Sequence, residues 1–263
     1  MNWVMLRVAV FAALPWECKS VLRSLARVRR GQSAGVKWWE GEGGSCHVRL
    51  VQTGIGVERA ATATRVILDE IPCTLAVVTG CAGGLSATLE AGTLLVADEV
   101  VCGVTGSTYS VPDALTAAFK SMTRTLDIKA EVGRQLCVAE ALTSVAAKQQ
   151  AAIRFRALGV DMESAGVARE ATERGVPFAC IRAILDTALA ALPATNGLID
   201  PASGRIRARN VLRHVVRGGV QGWQGLHDLY TWKQCAESSL TRFYRQCFAQ
   251  RACETLATFA GEA

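Results

Sequence analysis

The chain has 263 residues, half of them hydrophobic, and a formal net charge of +6 at pH 7. This length suits one large α/β domain, or a domain with an appendage, and allows a sizeable core. No stretch approaches the ~20 uninterrupted apolar residues of a membrane-spanning helix, and no nucleic-acid-binding motif accompanies the modest charge. We therefore expect a cytoplasmic protein that does not bind nucleic acid.

Cysteines and arginines are numerous but form no recognisable site. The ten cysteines include no C-x-x-C pair and no zinc-site spacing. Several lie in apolar runs, where a reduced thiol packs as a small hydrophobe, so we expect reduced thiols and no metal centre. Arginines gather at two places, for which we expect solvated helix faces: Arg23, Arg27, Arg29 and Arg30, and later Arg205, Arg207, Arg209, Arg213 and Arg217.

The first predicted element is a strand from Leu6 to Leu14. The apolar N-terminus lacks a basic n-region and a clear cleavage site, so we do not interpret it as a signal peptide. Pro15 opens a helix at a position where proline is tolerated, which places Glu17 in the first turn beside the strand end. The helix dipole alone favours a glutamate there, so the position of Glu17 by itself does not indicate a catalytic role.

Two glycine-rich loops follow predicted strands. A strand from Cys46 to Thr53 leads through Gly54-Ile55-Gly56 into a helix from Val57 to Glu70. Such glycines let backbone N–H groups approach a ligand closely, although this loop lacks the third glycine of a dinucleotide fingerprint. The strand beginning at Leu75 ends in Gly80-Cys81-Ala82-Gly83-Gly84, where small residues allow a planar ligand to lie against the backbone.

A helix and a strand near residue 170 form the unit around which the chain is organised. Residues 164–174 are good helix formers, and Gly175 followed by Pro177 is a stop signal. Phe178 to Leu185 is an apolar run that only Arg182 breaks, which predicts a buried strand. Earlier, Gly92 to Val101 predicts a strand and Ser144 to Arg154 a helix that contains Lys148.

Acidic residues lie at both ends of this unit. Asp186 follows the strand at its carboxyl end, where open α/β sheets bind ligands. Glu163 lies where the chain turns into the helix. Two carboxylates and Arg182 are thus predicted to face one edge of a sheet. The alternative is a plain buried strand with a paired arginine and a terminal aspartate.

These motifs resemble the nucleoside phosphorylase and nucleosidase superfamily. The strings are V-D-M-E-S at 160–164 and V-P-F-x-x-I-R-A-I-x-D at 176–186, and they are most similar to the hydrolytic branch with the methylthioadenosine/S-adenosylhomocysteine nucleosidases. The loop at 80–85 resembles the superfamily's G-[ST]-A-G-G-L, with Cys81 in place of a hydroxyl residue, and Thr93 replaces an aspartate in the next strand. The resemblance implies a three-layer α/β sandwich with a central mixed sheet flanked by helices, over residues 1–200.

The resemblance also implies roles for individual residues. Residues 13–17 keep the A-x-x-x-E spacing of the acid that activates water, which makes Glu17 the general base. Asp186 would be the general acid that protonates purine N7, and Arg182 would fix the carboxylates and the water. The remaining substrate contacts would come from Glu163, on the ribose hydroxyls, and from Met162, Gly54, Gly56, Cys81, Ala82 and Gly83. No metal or other cofactor is implied, and Phe155 is a candidate for stacking on the base, with core packing as its alternative.

Beyond Asp186 the chain departs from the small nucleosidases, which end soon afterwards. Turns at Asn196-Gly197 and Ser203-Gly204 lead to a predicted helical extension, residues 201–263, packed on the first domain. It carries apolar and aromatic residues beside basic ones, as a helix at a lipid interface does, while a cover over the sheet or an oligomer contact is the alternative. The residues concerned are Trp223, Leu226, Leu229, Tyr230 and Trp232, with Arg213, Arg217 and Lys233.

This tail and the helix containing Lys148 resemble the hopanoid-associated phosphorylase-like proteins, which are adenosylhopane nucleosidases. The resemblance implies hydrolysis of a 5′-substituted adenosine, with lipid-linked adenosylhopane as the specific candidate, in a homo-oligomer that contacts the inner face of the membrane peripherally. Alternatives are a methylthioadenosine/S-adenosylhomocysteine-type nucleosidase, a phosphorylase and a non-catalytic nucleobase sensor. Phosphate would need a cationic cluster, whereas Glu17 would repel it, so water is the expected nucleophile. Leu185 stands where many relatives carry serine, which leaves the choice of purine open.

Overall fold

The computed structural model describes residues 6–192, 200, 202 and 208–249, with the side chains of 208–224 and 226 outside that description. In this part of the chain a ten-stranded mixed sheet is flanked by helices. The strands are β1 (Leu6–Ala12), β2 (Ala26–Ser33), β3 (Val36–Gly43), β4 (Cys46–Gln52), β5 (Leu75–Gly84), β6 (Leu94–Cys102), β7 (Thr108–Ser110), β8 (Ala130–Cys137), β9 (Gly159–Asp161) and β10 (Phe178–Ile184). The helices are α1 (Pro15–Leu22), α2 (Val57–Glu70), α3 (Asp113–Thr125), α4 (Val145–Phe155), α5 (Ser164–Glu173) and α6 (Ala208–Cys247).

The sheet order brings four strand ends together. The order is β10-β6-β8-β9-β5-β1-β4-β3-β2, and β10 also pairs with β5, so that five strands close into a ring. In the sheet, β4, β1, β5 and β10 lie side by side in this order, and each is parallel to the next. Their carboxyl ends therefore lie at one edge of the sheet, which we call the site edge.

Burial explains why the central strands form. Every residue of β10 is buried, as are all but one of β1, and such strands have continuous apolar runs because both faces are covered. Helices α2 and α5 pack closely on one another because Gly166 has no side chain. A Cβ at that position would lie 2.2 Å from the carbonyl oxygen of Val57.

The arginines near residue 30 do not lie on a helix, and that expectation is wrong. Arg27, Arg29 and Arg30 lie on the exposed strand β2, which forms an antiparallel hairpin with β3. Arg29 pairs with Glu40 of β3 at 2.5 Å. Alternating charged residues on an exposed strand give no apolar periodicity, which is why the sequence pattern did not reveal this hairpin.

The second half of α6 packs on the sheet domain. Five apolar residues of this half of the helix and one of the following turn are buried, namely Ala236, Leu240, Phe243, Tyr244 and Cys247, and then Phe248. Arg23 at the end of α1 pairs with Glu237 at 2.8 Å, and the ammonium of Lys233 lies 5.1 Å from the ring centre of Trp16 at the start of α1. Here the two helices therefore run in the same direction. Among the described residues no helix is both long and apolar enough to cross a bilayer.

Several expectations about the tail fall outside the description. The turns at 196–197 and 203–204 lie there, as do the side chains of the arginines at 205–217 and of Trp223 and Leu226. The division into residues 1–200 and 201–263 stays a prediction.

Candidate active site

Glu17 lies at the site edge as an almost fully buried carboxylate, with 2% of its surface exposed. Its Oε2 accepts hydrogen bonds from the backbone N–H groups of Ala13 and Leu14 at 3.0 and 2.8 Å. Its Oε1 accepts one from the N–H of Cys81 at 2.8 Å. Burial raises the pKa of Glu17, and the positive charge of Arg182 opposes that rise. The side chain is thus held rigidly between the start of α1 and the end of β5.

Gly80 makes room for this carboxylate. Its backbone has a φ of +135°, and a Cβ there would lie 2.5 Å from Glu17 Oε1 and 2.8 Å from Arg182 Nη1. Only glycine combines this backbone conformation with such close neighbours.

Arg182 is the positive centre of the site. It is buried on β10, and its Nη1 donates to the carbonyl oxygen of Thr79 at 3.0 Å. Its Nη2 lies 2.7 Å from Asp161 Oδ2 and 3.8 Å from Glu163 Oε2. The charges of Asp161, Glu163 and Glu17 all raise its pKa. One guanidinium therefore faces three carboxyl groups.

Asp161 is a member of this cluster that sequence reasoning missed. Its Oδ1 accepts from the backbone N–H groups of Glu163 and Ser164 at 3.1 Å each, and from the Ser164 hydroxyl at 2.8 Å. The aspartate thus fixes the turn that presents Glu163. The only signal for it was its place two residues before Glu163 in the D-M-E-S string.

Glu163 joins the loop after β4 to the cluster. Its Oε1 accepts from the N–H of Gly56 at 3.0 Å. Gly54 and Gly56 have φ values of +76° and +113°, which favour glycine at both positions. Burial, reinforced by the negative charges of Asp161 and Glu17, raises the pKa of Glu163 to about 7 against the effect of Arg182. Near neutral pH this carboxyl can both donate and accept hydrogen bonds.

Asp186 lies apart from that cluster and has its own partner, Lys148, which sequence reasoning did not assign. Lys148 is fully buried on α4, and its ammonium contacts the Asp186 carboxylate. Burial raises the pKa of Asp186, and the charge of Lys148 opposes that rise. A lone lysine on a helix is usually solvent-exposed, so its burial here could not be read from the pattern.

The carboxyl end of β5 contacts both the cluster around Arg182 and the Lys148–Asp186 pair. Gly80 contacts Glu17 and Arg182, while Gly83 lies against Asp186, with its hypothetical Cβ 3.4 Å from Oδ2. Three residues of strand span roughly 10 Å, which is the approximate distance along β5 between Gly80 and Gly83. Cys81, Gly83 and Met162 are half-buried, and Ala82 is buried.

Phe155 is half-buried at the end of α4. It packs against an apolar cluster that includes Leu85, Leu136 and Val160. This contact agrees with core packing, the alternative to stacking on the base.

Comparisons with known proteins agree with this geometry. The family model described as the phosphorylase superfamily matches residues 7–218. Two curated relatives, both named 5′-methylthioadenosine/S-adenosylhomocysteine nucleosidase, come from Lysinibacillus sphaericus and Haemophilus ducreyi. They are 29% identical over 200 and 201 residues, which is 70% of this chain and 87% and 86% of the relatives.

Solved structures confirm the predicted fold class. The nucleosidase of the same name from Neisseria meningitidis, in complex with methylthio-immucillin-A, superposes with a TM-score of 0.74 at 20% identity and covers 91% of this chain and 97% of its own. A futalosine hydrolase mutant of Helicobacter pylori superposes with a TM-score of 0.62 at 19% identity, over 68% and 89%. The three-layer arrangement around a mixed sheet is therefore correct, and the closure of five strands into a ring is a detail that the sequence did not predict.

Proposed function

Because the chain belongs to the phosphorylase superfamily, we propose that it is a hydrolytic nucleosidase that cleaves the N-glycosidic bond of a 5′-substituted adenosine and releases adenine. The names of the curated relatives support this class of substrate. The observation that carries the proposal is Glu17, a buried carboxylate held by three backbone N–H groups beside Arg182. Such a group suits a base that activates water.

The mechanism assigns one task to each group. Cleavage develops positive charge on the ribose, which the carboxyl oxygens around Arg182 stabilise. Glu163 binds the 2′- and 3′-hydroxyls, for which its pKa of about 7 leaves both donor and acceptor forms available. Asp186, whose pKa burial raises, delivers a proton to purine N7. Glu17 takes the proton from the attacking water.

The same geometry disfavours phosphate as the nucleophile. A phosphate site needs a cluster of cationic or donor groups, whereas Arg182 is surrounded by the carboxyl groups of Asp161, Glu163 and Glu17. Glu17 adds like-charge repulsion. Water is therefore the nucleophile in this proposal.

Adenine release from methylthioadenosine in phosphate-free buffer tests this proposal. We expect turnover without phosphate and no sugar-1-phosphate when phosphate is added. Glu17→Gln is expected to lose hydrolysis and to retain nucleoside binding by calorimetry. A rate that rises from zero with phosphate, with a sugar-1-phosphate as product, would show a phosphorylase instead.

The 5′ substituent is the finer part of the proposal. Because α6 runs in the same direction as α1, its residues before Lys233 extend past Trp16 at the start of α1, and this part of the helix measures roughly 38 Å at 1.5 Å per residue. Tyr230 is 60% exposed there. An apolar and basic helix beside the site suits a lipid-linked adenosine, of which adenosylhopane is the specific candidate, and peripheral contact with an anionic membrane.

Two measurements address this finer part. Liposome co-sedimentation should require the residues after Arg209, and a hydrocarbon-linked adenosine should be cleaved faster than methylthioadenosine. If the full chain ignores anionic liposomes and prefers methylthioadenosine, the substrate is of the methylthioadenosine/S-adenosylhomocysteine type. A homo-oligomer is part of the same proposal, and light scattering after size-exclusion chromatography tests it.

A further inference from the structure

Lys148 is a buried ammonium whose donors are all engaged. Besides the Asp186 carboxylate it contacts the carbonyl oxygens of Thr187 and Ala190, at 2.8 Å each. An ammonium has three N–H donors and no acceptor. Each donor therefore has one acceptor, which compensates a positive charge that has no access to water.

Both sides of this arrangement are anchored. On α4, the Lys148 N–H donates to the carbonyl of Ser144 at 3.1 Å, and the Ser144 hydroxyl caps the helix by accepting from Ala147 at 3.2 Å. The loop after β10 is tied to the same helix start, because the N–H of Leu192 donates to the Thr143 carbonyl at 2.9 Å. The position of the ammonium is thus set by backbone on two elements.

Asp186 is correspondingly constrained. Its backbone carbonyl accepts from the N–H of Gly84 at 2.7 Å. From β5 it faces Gly83 and Gly84, which bring no charge, so Lys148 on α4 supplies the charge that acts on it. The ammonium contacts one carboxylate oxygen, Oδ2.

We propose that Lys148 is a positioning residue for Asp186: its anchored ammonium holds Oδ2 and turns Oδ1 towards the departing purine. This inference rests on the proposed nucleosidase function. The competing explanation is that the pair only joins α4 to the loop after β10, as buried ion pairs elsewhere do.

Removing the ammonium separates the two explanations through the pH profile. Without Lys148, the effect of burial on Asp186 meets less opposition and the pKa of Asp186 rises further, so the acid stays protonated to higher pH. We expect the alkaline limb of kcat/KM to move to higher pH in Lys148→Met. We also expect kcat to fall by ~10²-fold, the scale of a misplaced catalytic group, with KM changed much less.

Three variants complete the experiment on adenine release from methylthioadenosine. Lys148→Gln removes the charge but keeps a hydrogen-bond donor. The alkaline limb of its kcat/KM profile should therefore also move to higher pH, while its kcat should fall less than that of Lys148→Met. Lys148→Arg keeps the charge, so its limb should stay near that of the wild type. Lys120→Met is the matched control, since the Lys120 ammonium also contacts a backbone carbonyl, that of Ala130, but lies on α3.

The outcomes are distinct. If Lys148→Met does not fold, the pH profile and kcat of Lys148→Gln provide the test. Unchanged pH limbs and kcat in the folded Lys148 variants, with only a lower melting temperature, would leave Lys148 a structural residue and overturn the inference. Absence of adenine release by the wild type, from methylthioadenosine and from a hydrocarbon-linked adenosine, would instead refute the proposed function itself.

Discussion

Gly80→Ala should separate the geometry of the catalytic cluster from the stability of the fold. The added Cβ would lie 2.5 Å from Glu17 Oε1, 2.7 Å from Glu17 Cδ and 2.8 Å from Arg182 Nη1. Real Cβ atoms do not approach other atoms so closely, so the two side chains must move. Glu17 cannot move without losing at least one of the N–H groups that hold it.

The expected magnitudes follow from these contacts. A residue with a side chain in an unfavourable backbone region costs about 1–3 kcal/mol, and Gly80 has a φ of +135°. Displacing a catalytic group by about 1 Å costs about 10²-fold in rate. We therefore expect a folded protein with a lower melting temperature and a kcat reduced by ~10²-fold or more.

Gly35→Ala is the matched control. Gly35 also has a positive φ, +84°, but nothing lies within 4 Å of its hypothetical Cβ. It should lose stability through the same backbone effect and keep full activity. Thermal melts and adenine release are measured on both variants. A folded Gly80→Ala protein with wild-type kcat would refute the argument that Glu17 and Arg182 must occupy these exact positions.

Two further predictions concern the other carboxyls. Asp186→Asn should reduce kcat by ~10²–10⁴-fold, the range for a general acid, without unfolding the protein; full activity in a folded variant would remove Asp186 from the mechanism. Glu163 has a pKa raised from 4.5 to about 7 in the folded state, so the native protein retains a proton there that the unfolded chain loses. Its contribution to the free energy of unfolding should therefore decrease as pH rises from 4.5 to about 7, and denaturant titrations should show a smaller decrease in Glu163→Gln; an identical pH dependence in the two proteins would contradict the assignment.

Local signals predicted the parallel half of the sheet well. Strand β1 begins where predicted and ends at Ala12, two residues before the predicted end, and α2 has the predicted bounds, Val57–Glu70. These elements have apolar runs or helical periodicity, and glycine or proline marks their ends. Because β1, β4, β5 and β10 are parallel, the residues that follow them meet at one edge, so the positions of Glu17 and Asp186 could be anticipated from the chain. Glu163 instead follows β9, which is antiparallel to β5.

By itself the sequence determined the order of these elements, the family and the carboxylates that lie at the site edge, because such information is carried by neighbouring residues. Only the tertiary structure decided which charges meet. Arg182 pairs with Asp161. Lys148 is buried, although a lysine on a helix is usually exposed to solvent, and it pairs with Asp186. The same holds for the closure of β10 on both β5 and β6. These pairings join residues distant in sequence, and burial and charge compensation, which select them, exist only once the chain has folded.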